Sequence, residues 1–392
     1  MVAPSPQVLS VASLIVLGIL LWVASWCIAT TLAYMVCRRR GRHCRFYRDR
    51  IEIVPLALLA RLTKRVPIAD RFEDSRVVRI FFVVAGAVSF IVSLAIFYSI
   101  SLSYVLQLLQ RLLGYAKQVS MPPPFQPILP GITIELEMFL YMLPSISLAI
   151  VAHELFHAIA ARADKIPVKS AGILFAIGAI FGAFVEPDEE KVKNSSLASR
   201  ARLYMAGITA NMLLALLFFA ILLTFGTQYA VLVTSVKIGS PAYNAGIQPG
   251  DIILEVNGHR IHSIWDLRQT LQKELCNNIL VRHANGQTEL LTVCRKAGEK
   301  YIGIYVTEVP ASLVGLGPEA AQAIYYIIFW GFVINLSLAM INAAPLFVTD
   351  GAHLFNDVLV AIGGKVGNAI SLSVQVITLL LLLLGVNLRV VG

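Results

Sequence analysis

Six long apolar runs alternate with shorter polar segments along this chain of 392 residues. An α-helix needs about 20 apolar residues to cross the hydrocarbon core of a bilayer, and each run reaches that length. The pattern therefore predicts six membrane-spanning helices. Their predicted bounds are Val8–Val36, Ile80–Leu106, Met138–Ala161, Leu203–Phe225, Ala320–Asn342 and Gly367–Val386.

A seventh apolar run, Ala171–Val185, is too short for a spanning helix and contains Gly172, Gly178 and Gly182. Glycine disfavours a helix, and a span here would place the basic stretch Lys191–Arg202 outside the cell. We therefore predict a re-entrant β-hairpin that enters the membrane and returns. Such backbone is tolerated where it is buried against protein or lines a water-filled cavity.

A polar, globular-looking region, Gln228–Pro310, separates the fourth and fifth spans. Short β-branched alternations broken by Gly, Pro and Asn-Gly predict small strands, and Ser263–Leu275 has the period of an amphipathic helix. The fold class is thus an α-helical polytopic membrane protein with a re-entrant β-hairpin and one small α+β domain. The predicted divisions are 1–137, 138–227, 228–310 and 311–392.

The composition agrees with this class, because 57% of the residues are hydrophobic and only 14% are charged. Such a chain is not a soluble globular protein. The net charge of +9 could indicate a nucleic-acid partner, but the Lys and Arg residues gather in short segments beside the apolar runs. We therefore expect the lipid bilayer as a partner and no nucleic acid.

Lys and Arg also predict the orientation of the spans. The loop 38–79 holds thirteen of them and the loop 162–202 holds seven, whereas the loop 107–137 holds only two. By the positive-inside rule the basic loops are cytoplasmic, and the N-terminus and the polar domain are extracytoplasmic. The chain has no signature of a cleavable signal peptide, so we expect a multi-pass protein of the cell membrane that keeps its first span.

The five cysteines, Cys27, Cys37, Cys44, Cys276 and Cys294, lack the spacing of a metal site. We expect Cys27 and Cys37, in or beside the first span, to act as small apolar residues. Cys276 and Cys294 share the polar domain and can pair if that domain is extracytoplasmic.

The third span carries His153-Glu154-Leu-Phe-His157. The two histidines are four residues apart, so on a helix both imidazoles face one side and can reach a single Zn²⁺. Glu154 lies about 100° around the helix from His153, where it can act as a general base without being a ligand. Polar groups at this depth are costly, which favours a functional site over a polar face satisfied by neighbouring helices.

A catalytic zinc site needs a third protein ligand. Asp350 follows the fifth span, which runs inward and therefore brings it to the depth of the two histidines. Pro345 ends that helix and frees the chain to turn toward the metal. An Asp-Gly pair after a span is ordinarily only a turn, but beside a lipid-embedded H-E-x-x-H we predict Asp350 as the third ligand. His353 would close the site as a fourth ligand, so we predict a structural role for it.

Together these motifs resemble the site-2 proteases, a family of intramembrane zinc metalloproteases. The polar domain resembles a PDZ domain of the bacterial protease type through S-P-A-x-x-A-G-I-x-P-G-D-I-I at 240–253. The resemblance covers about Met138–Val360. The matching pieces are H-E-L-F-H at 153–157, G-A-F-V-E-P-D at 182–188, A-G-I-T-A-N at 206–211, the PDZ-like insert and N-A-A-P-L-F-V-T-D-G at 342–351.

The resemblance implies that His153, His157 and Asp350 bind one zinc ion and that Glu154 is the catalytic base. It also implies that the hairpin holds substrate in extended form, through Gly182, Ala183, Phe184 and Val185. Phe156 departs from the family pattern, where a small residue precedes the second histidine, and we expect its bulk to narrow the cavity.

Asn211 and Asn342 are candidate supporting residues of the site. Either amide could donate to an oxyanion or to the backbone of a bound peptide, which we favour. The alternative is ordinary hydrogen bonding between membrane helices.

The expected reaction is hydrolysis of a peptide bond in or near the membrane-spanning segment of a protein substrate, on the cytoplasmic side. We expect the substrate to be trimmed outside by another protease first, so that its stump clears the PDZ-like domain. That domain either binds peptide or filters by size. The alternative functions are an inactive PDZ-bearing scaffold and a metal transporter, but a transporter would carry polar residues along a whole pathway rather than at one depth.

Overall fold

The computed structural model describes residues 11–39, 44–46, 50–115, 121–176, 180–226, 228–271, 274–296, 298–299 and 301–387. Two compact units result, the first formed by Met1–Leu214 with Ile334–Gly392 and the second by Ala215–Val333. The α-helices are α1 (Val11–Arg39), α2 (Pro67–Asp70), α3 (Arg76–Leu112), α4 (Leu136–Ala163), α5 (Glu189–Lys193), α6 (Leu197–Thr224), α7 (Pro241–Asn244), α8 (Ile264–Leu271), α9 (Pro318–Ala343) and α10 (Asp350–Leu384).

Six of these helices, α1, α3, α4, α6, α9 and α10, are long and apolar enough to cross a membrane. The predicted number of spans is therefore matched by six candidate membrane-spanning helices. Many of their large apolar side chains are exposed at the surface of the protein, for example Leu148 and Leu216. Lipid is the environment in which such a surface is stable.

The last helix differs from the prediction, because it begins at Asp350 rather than at Gly367. Gly364 interrupts it with φ 53° and ψ −125°, and a Cβ at Gly367 would overlap the carbonyl of Leu359. The chain therefore turns back tightly at this kink. The first half of this helix was not predicted because Asp357 and neighbouring glycines interrupt its apolar pattern.

The strands are β1 (Arg45–Phe46), β2 (Ile51–Val54), β3 (Ala57–Thr63), β4 (Val168–Ala176), β5 (Ile180–Pro187), β6 (Tyr229–Val236), β7 (Ile252–Val256), β8 (His259–Arg260), β9 (Cys276–Arg282), β10 (Thr288–Cys294) and β11 (Ile304–Pro310). The first unit contains an antiparallel sheet of order β1-β2-β3-β4-β5. The segment predicted as a hairpin thus forms the pair β4–β5. Three strands that sequence analysis did not predict, from the basic loop after α1, extend that pair on the β4 side.

Gly172 allows β3 to approach β4 closely. A Cβ at this position would overlap the backbone carbonyl of Ala60, and Arg61 lies opposite Gly172 in the strand register. The register then shifts between Arg61 and Thr63, which marks a bulge in β3. Since α4 packs against β5, the sheet lies beside the helix that carries His153 and His157.

Aromatic and small residues pack α3, α4 and α6 together. Phe156 of α4 meets Phe82 of α3 edge to face, with ring centroids 5.9 Å apart. Ala160 and Ala206 belong to the same buried cluster. The bulk of Phe156 is thus accommodated against α3.

The second unit contains a sheet of order β10-β9-β7-β6-β11, with β8 paired to β7. Its core is formed by apolar side chains such as Val233, Ile253 and Ile279, which are almost fully buried. Cys276 and Cys294 are paired in the β9–β10 register and form a disulfide, a pairing that the sequence left open.

A second disulfide corrects the expectation for Cys37. Because α1 extends to Arg39 and β1 begins at Arg45, Cys37 comes beside Cys44 and pairs with it. Cys27 is the free cysteine among the described residues, and its side chain is half-buried, as expected for a small apolar residue.

Candidate metal centre

Three side chains from two distant stretches of chain meet in the first unit. His153 and His157 project from α4, and Asp350 is the first residue of α10. The two Nε2 atoms are 3.1 Å apart, and Oδ2 of Asp350 lies 3.3 Å from each. Among the described residues these three form the group whose ligand atoms could hold one metal ion.

The imidazole of His153 is oriented by Asn211 of α6. Its Nδ1 lies 2.7 Å from Oδ1 of Asn211, whose Nδ2 donates to the carbonyl of Ala149 and to Oδ1 of Asn335. Because Nδ2 has two acceptors, Oδ1 must be the atom that faces the ring. Nδ1 of His153 therefore carries the proton, and its Nε2 is left with a free lone pair.

The imidazole of His157 is oriented in the same way by backbone. Its Nδ1 donates to the carbonyl oxygen of Leu203 on α6, at 2.8 Å. A carbonyl can only accept, so Nδ1 again carries the proton of the neutral ring. Both Nε2 atoms consequently present lone pairs toward Asp350.

This arrangement fits zinc. Two lone pairs and a carboxylate oxygen converge, and Oδ2 of Asp350 is buried without a hydrogen-bond donor among the described residues. Only a cation satisfies three acceptors at once. Tetrahedral zinc with bonds of about 2.0–2.1 Å separates its ligand atoms by about 3.3 Å, close to the distances given above.

Two glycines let the ligands reach this position. A Cβ at Gly207 of α6 would overlap the ring of His153, and a Cβ at Gly351 would overlap the carbonyl of Ala343 at the end of α9. The first glycine lets the imidazole lie against the α6 backbone. The second lets the first turn of α10 pack onto α9, which places the neighbouring Asp350.

The start of α10 is fixed by Thr349. Its Oγ1 accepts from the backbone N–H groups of Leu346 and Ala352, each at 3.2 Å, and donates to the carbonyl of Ala344 at 2.6 Å. Pro345 lies inside the connection that these bonds close, after α9 has ended, as the sequence predicts. An N-cap of this kind orients the first helical residue, which here is Asp350.

Glu154 contacts the sheet. Its Oε2 accepts the backbone N–H of Val185 in β5, at 2.8 Å. The carboxylate is therefore held on one oxygen beside the two histidines, and β5 lies next to the candidate centre.

The other predicted residues are distributed as follows. Gly182, Ala183 and Phe184 lie on β5, the last strand in the sheet order, next to Val185. Asn342 is half-buried near the end of α9. His353 is exposed and stacks on Tyr204, with ring centroids 5.5 Å apart.

The groups that hold the ligands in place were not predicted from the sequence. Gly207 lies in the A-G-I-T-A-N run, but its contact with His153 depends on how α6 packs on α4. The Leu203 carbonyl has no side-chain signal at all. Asn335 is fully buried in an apolar span, and that could have drawn attention to it.

Helix-borne histidines, an acidic third group and a carboxylate beside them define the class of zinc peptidases. The sequence profile of Peptidase family M50 matches residues 141–384, more than half of the chain. The protein belongs to this family, which confirms the recognition made from the motifs.

Several proteins are similar in sequence. An uncharacterized protein of Methanocaldococcus jannaschii is 31% identical over 213 residues, which are 53% of this chain and 54% of that protein. Zinc metalloprotease RasP of Geobacillus kaustophilus is 24% identical over 46% of this chain and 55% of its own length. Metalloprotease MmpA of Caulobacter vibrioides is 42% identical over 18% of each chain. The chain thus spans about half the length, or less, of the curated relatives it matches.

Proposed function

We propose that this protein is an intramembrane zinc metalloprotease that hydrolyses a peptide bond in or near a membrane-spanning segment of its substrate. The convergence of His153, His157 and Asp350 on one point carries the proposal. Membership in Peptidase family M50 and the zinc metalloprotease among its relatives support it.

The two histidines and Asp350 would hold a single zinc ion. Zinc, when bound, supplies Lewis-acid polarisation of the scissile carbonyl and makes water a better nucleophile. Glu154 is the general base: Val185 holds its Oε2, and its other oxygen takes the proton of the attacking water. The same carboxyl then gives that proton to the leaving amine.

Asn211 supports the site through His153 rather than through the substrate. Its amide is fully engaged with the histidine, Ala149 and Asn335. We therefore assign it the orientation of a ligand, and we keep the oxyanion role for Asn342 as the proposal from sequence.

Substrate binds in extended form along β5. A helical segment satisfies its own backbone groups, so it must unwind before attack and needs new partners in the membrane. In a strand alternate residues face the same edge, so Ala183 presents its N–H and C=O on the side where Val185 meets Glu154. An added strand would pair with Ala183 and end at the base.

The second unit selects substrates. Its sheet and α8 suit a PDZ-like domain, in which peptide would lie between an edge strand and a helix. Here Oε1 of Glu308 on β11 accepts the N–H of Ile264 at the start of α8, at 2.5 Å. That bond ties strand and helix together, which favours a size filter for pre-trimmed substrates over peptide binding.

The basic loops support a location in the cell membrane with the N-terminus and this PDZ-like unit outside and the metal centre toward the cytoplasm. The substrates are then membrane-spanning proteins already shortened on the outer side.

The test is cleavage of a single-span substrate in liposomes, with zinc measured on the same samples. Glu154→Gln should keep zinc and lose cleavage, because it preserves the shape of the side chain but cannot take a proton. Glu137→Gln, in the first turn of the same helix, is the matched control and should cleave normally. Zinc-free wild type would favour the scaffold alternative, and cleavage by the Glu154 variant would remove the assigned base.

A further inference from the structure

An arginine outside the matched family region lies close to the candidate active site. Arg61 is on β3, in the segment after α1, whereas the family profile begins at residue 141. Nε of Arg61 lies 3.1 Å from Oε2 of Glu186 on β5, and its NH2 lies 2.5 Å from Oε2 of Glu52 on β2. One guanidinium thus joins the outer part of the sheet to its last strand.

Glu186 is the residue directly after Val185, whose N–H holds the carboxylate of Glu154. Ser170 of β4 donates to the same Oε2 of Glu186, at 2.5 Å. The C-terminal end of β5 is therefore held from β3 and β4 at the position next to the contact with the base.

The ion pair between Arg61 and Glu186 lies where it can resist movement of β5. The side chain of Arg61 is 14% exposed and that of Glu186 is 32% exposed, so water screens this ion pair less than a surface pair. Gly172 opposite Arg61 leaves room for β3 to lie directly on β4. A sequence change that moved β3 away from β4 would separate the charges of Arg61 and Glu186.

We propose that Arg61 is a positioning residue for the proteolytic reaction: through Glu186 it fixes the β5 backbone so that the Val185 amide holds Glu154 in place. The strands β1–β3 then contribute to the geometry of the active site, although they lie outside the matched family region. This inference rests on the proposed function, because it assigns Glu154 as the base.

The first experiment measures kcat, KM and zinc content of the full-length protein in liposomes with a single-span substrate. Arg61→Gln and Glu186→Gln should each lower kcat roughly 10- to 100-fold, as expected when a catalytic group is misplaced by about an ångström. Zinc content should stay within about twofold, since neither residue touches the metal ligands. A rise in KM should accompany the fall in kcat, because β5 is also the strand proposed to pair with substrate. The losses in the double variant should be less than the product of the two single losses, because both substitutions remove the Arg61–Glu186 link.

A matched control lies in the same hairpin. Lys169→Gln breaks the pair between Lys169 Nζ and Asp188 Oδ2, which are 3.4 Å apart. It removes one positive charge from β4 without touching Glu186, so its kcat should stay near that of wild type. Arg61→Lys keeps one charge but cannot reach both carboxylates as a fork does, so it should recover part of the lost rate.

A second measurement does not depend on proteolysis. Hydrogen exchange of the peptide that contains Val185 should become faster in Arg61→Gln and remain unchanged in Lys169→Gln. If wild type does not cleave at all, the proposed function fails, but this exchange result still decides whether Arg61 holds β5. An unchanged kcat and unchanged exchange in folded Arg61→Gln would overturn the inference, as would a loss that comes entirely from zinc or KM.

Discussion

Gly207 lies against the face of the His153 imidazole, so closely that a Cβ at this position would overlap the ring. The imidazole cannot move away from Gly207, because its Nδ1 is hydrogen-bonded to Asn211, which lies on α6 together with Gly207. The α6 backbone therefore sets the direction in which Nε2 points. The precision of the candidate centre thus comes from a helix that contributes no ligand.

Replacement of Gly207 by Ala should weaken zinc binding about 10- to 100-fold, since misdirection of a ligand by its supporting shell costs affinity on that scale. Competition with a chelator on the purified protein measures this directly. Gly363→Ala is the control, because a Cβ there meets no atom within 4 Å. Equal affinities of the two variants would mean that the ring can move aside.

Asn211→Ala should also weaken zinc binding about 10- to 100-fold, because His153 loses the acceptor that fixes its tautomer and orientation. Asn335→Ala removes only the outer amide and should have a smaller effect. Chelator competition applies again. If Asn211→Ala kept full zinc affinity but lost cleavage, Asn211 would act on substrate instead.

The helix periodicity and the direction of span five predict that Asp350 comes to the depth of His153 and His157, and the structure brings the three together. The common face of the two histidines follows from the geometry of one helix, and the depth of Asp350 follows from the direction of the span before it. Zinc binding and the roles assigned to these residues stay predictions.

Contacts between distant stretches were not predictable in this way. The strand Ala57–Thr63 is rich in Ala and Leu, which favour helices, and it is a strand because it pairs with β4 more than 100 residues later. The same holds for Arg61 and Glu186, whose pairing requires that register. The pairing of Cys37 with Cys44 was not predicted for a simpler reason: the position at which α1 ends decides whether Cys44 can reach Cys37.

His283 of the second unit lies between two carboxylates. Its Nδ1 is 2.8 Å from Oδ1 of buried Asp251, and its Nε2 is 3.1 Å from Oε2 of Glu289. The hydrogen bond to Asp251, with a smaller contribution from Glu289, raises the pKa of His283 above its usual 6.5. A histidine whose pKa is higher in the folded than in the unfolded state stabilises the fold fully only at a pH below its unfolded pKa.

The stabilisation should therefore be complete below about pH 6 and should disappear as the pH rises through the folded pKa of His283. We expect the thermal midpoint of the full-length protein to exceed that of His283→Asn by less at pH 8.5 than at pH 6. His262→Asn, another histidine of the same unit, serves as control. A difference that does not change with pH would show that His283 does not titrate in this range.

The two disulfides test the orientation of the chain. Cys37 lies in the last turn of α1 next to Arg38 and Arg39. The proposed orientation assigns Cys37 and Cys44 to the cytoplasm, and Cys276 and Cys294 of the second unit to the outside. Reducing systems keep cysteine thiols reduced in most cytoplasms, whereas disulfides persist outside the cell. Cys37 and Cys44 lie close enough to pair, as they do in the structure. Under the proposed orientation we nevertheless expect the cytoplasm to keep this pair reduced in intact cells, so that a permeant thiol reagent alkylates both residues without an added reductant. Cys276 and Cys294 should be protected until a reductant is added. Cys27→Ser removes the remaining thiol, so the count of alkylated sites is unambiguous.

The reverse pattern would place the N-terminus and the second unit in the cytoplasm, and the candidate metal centre would then face the outer half of the membrane.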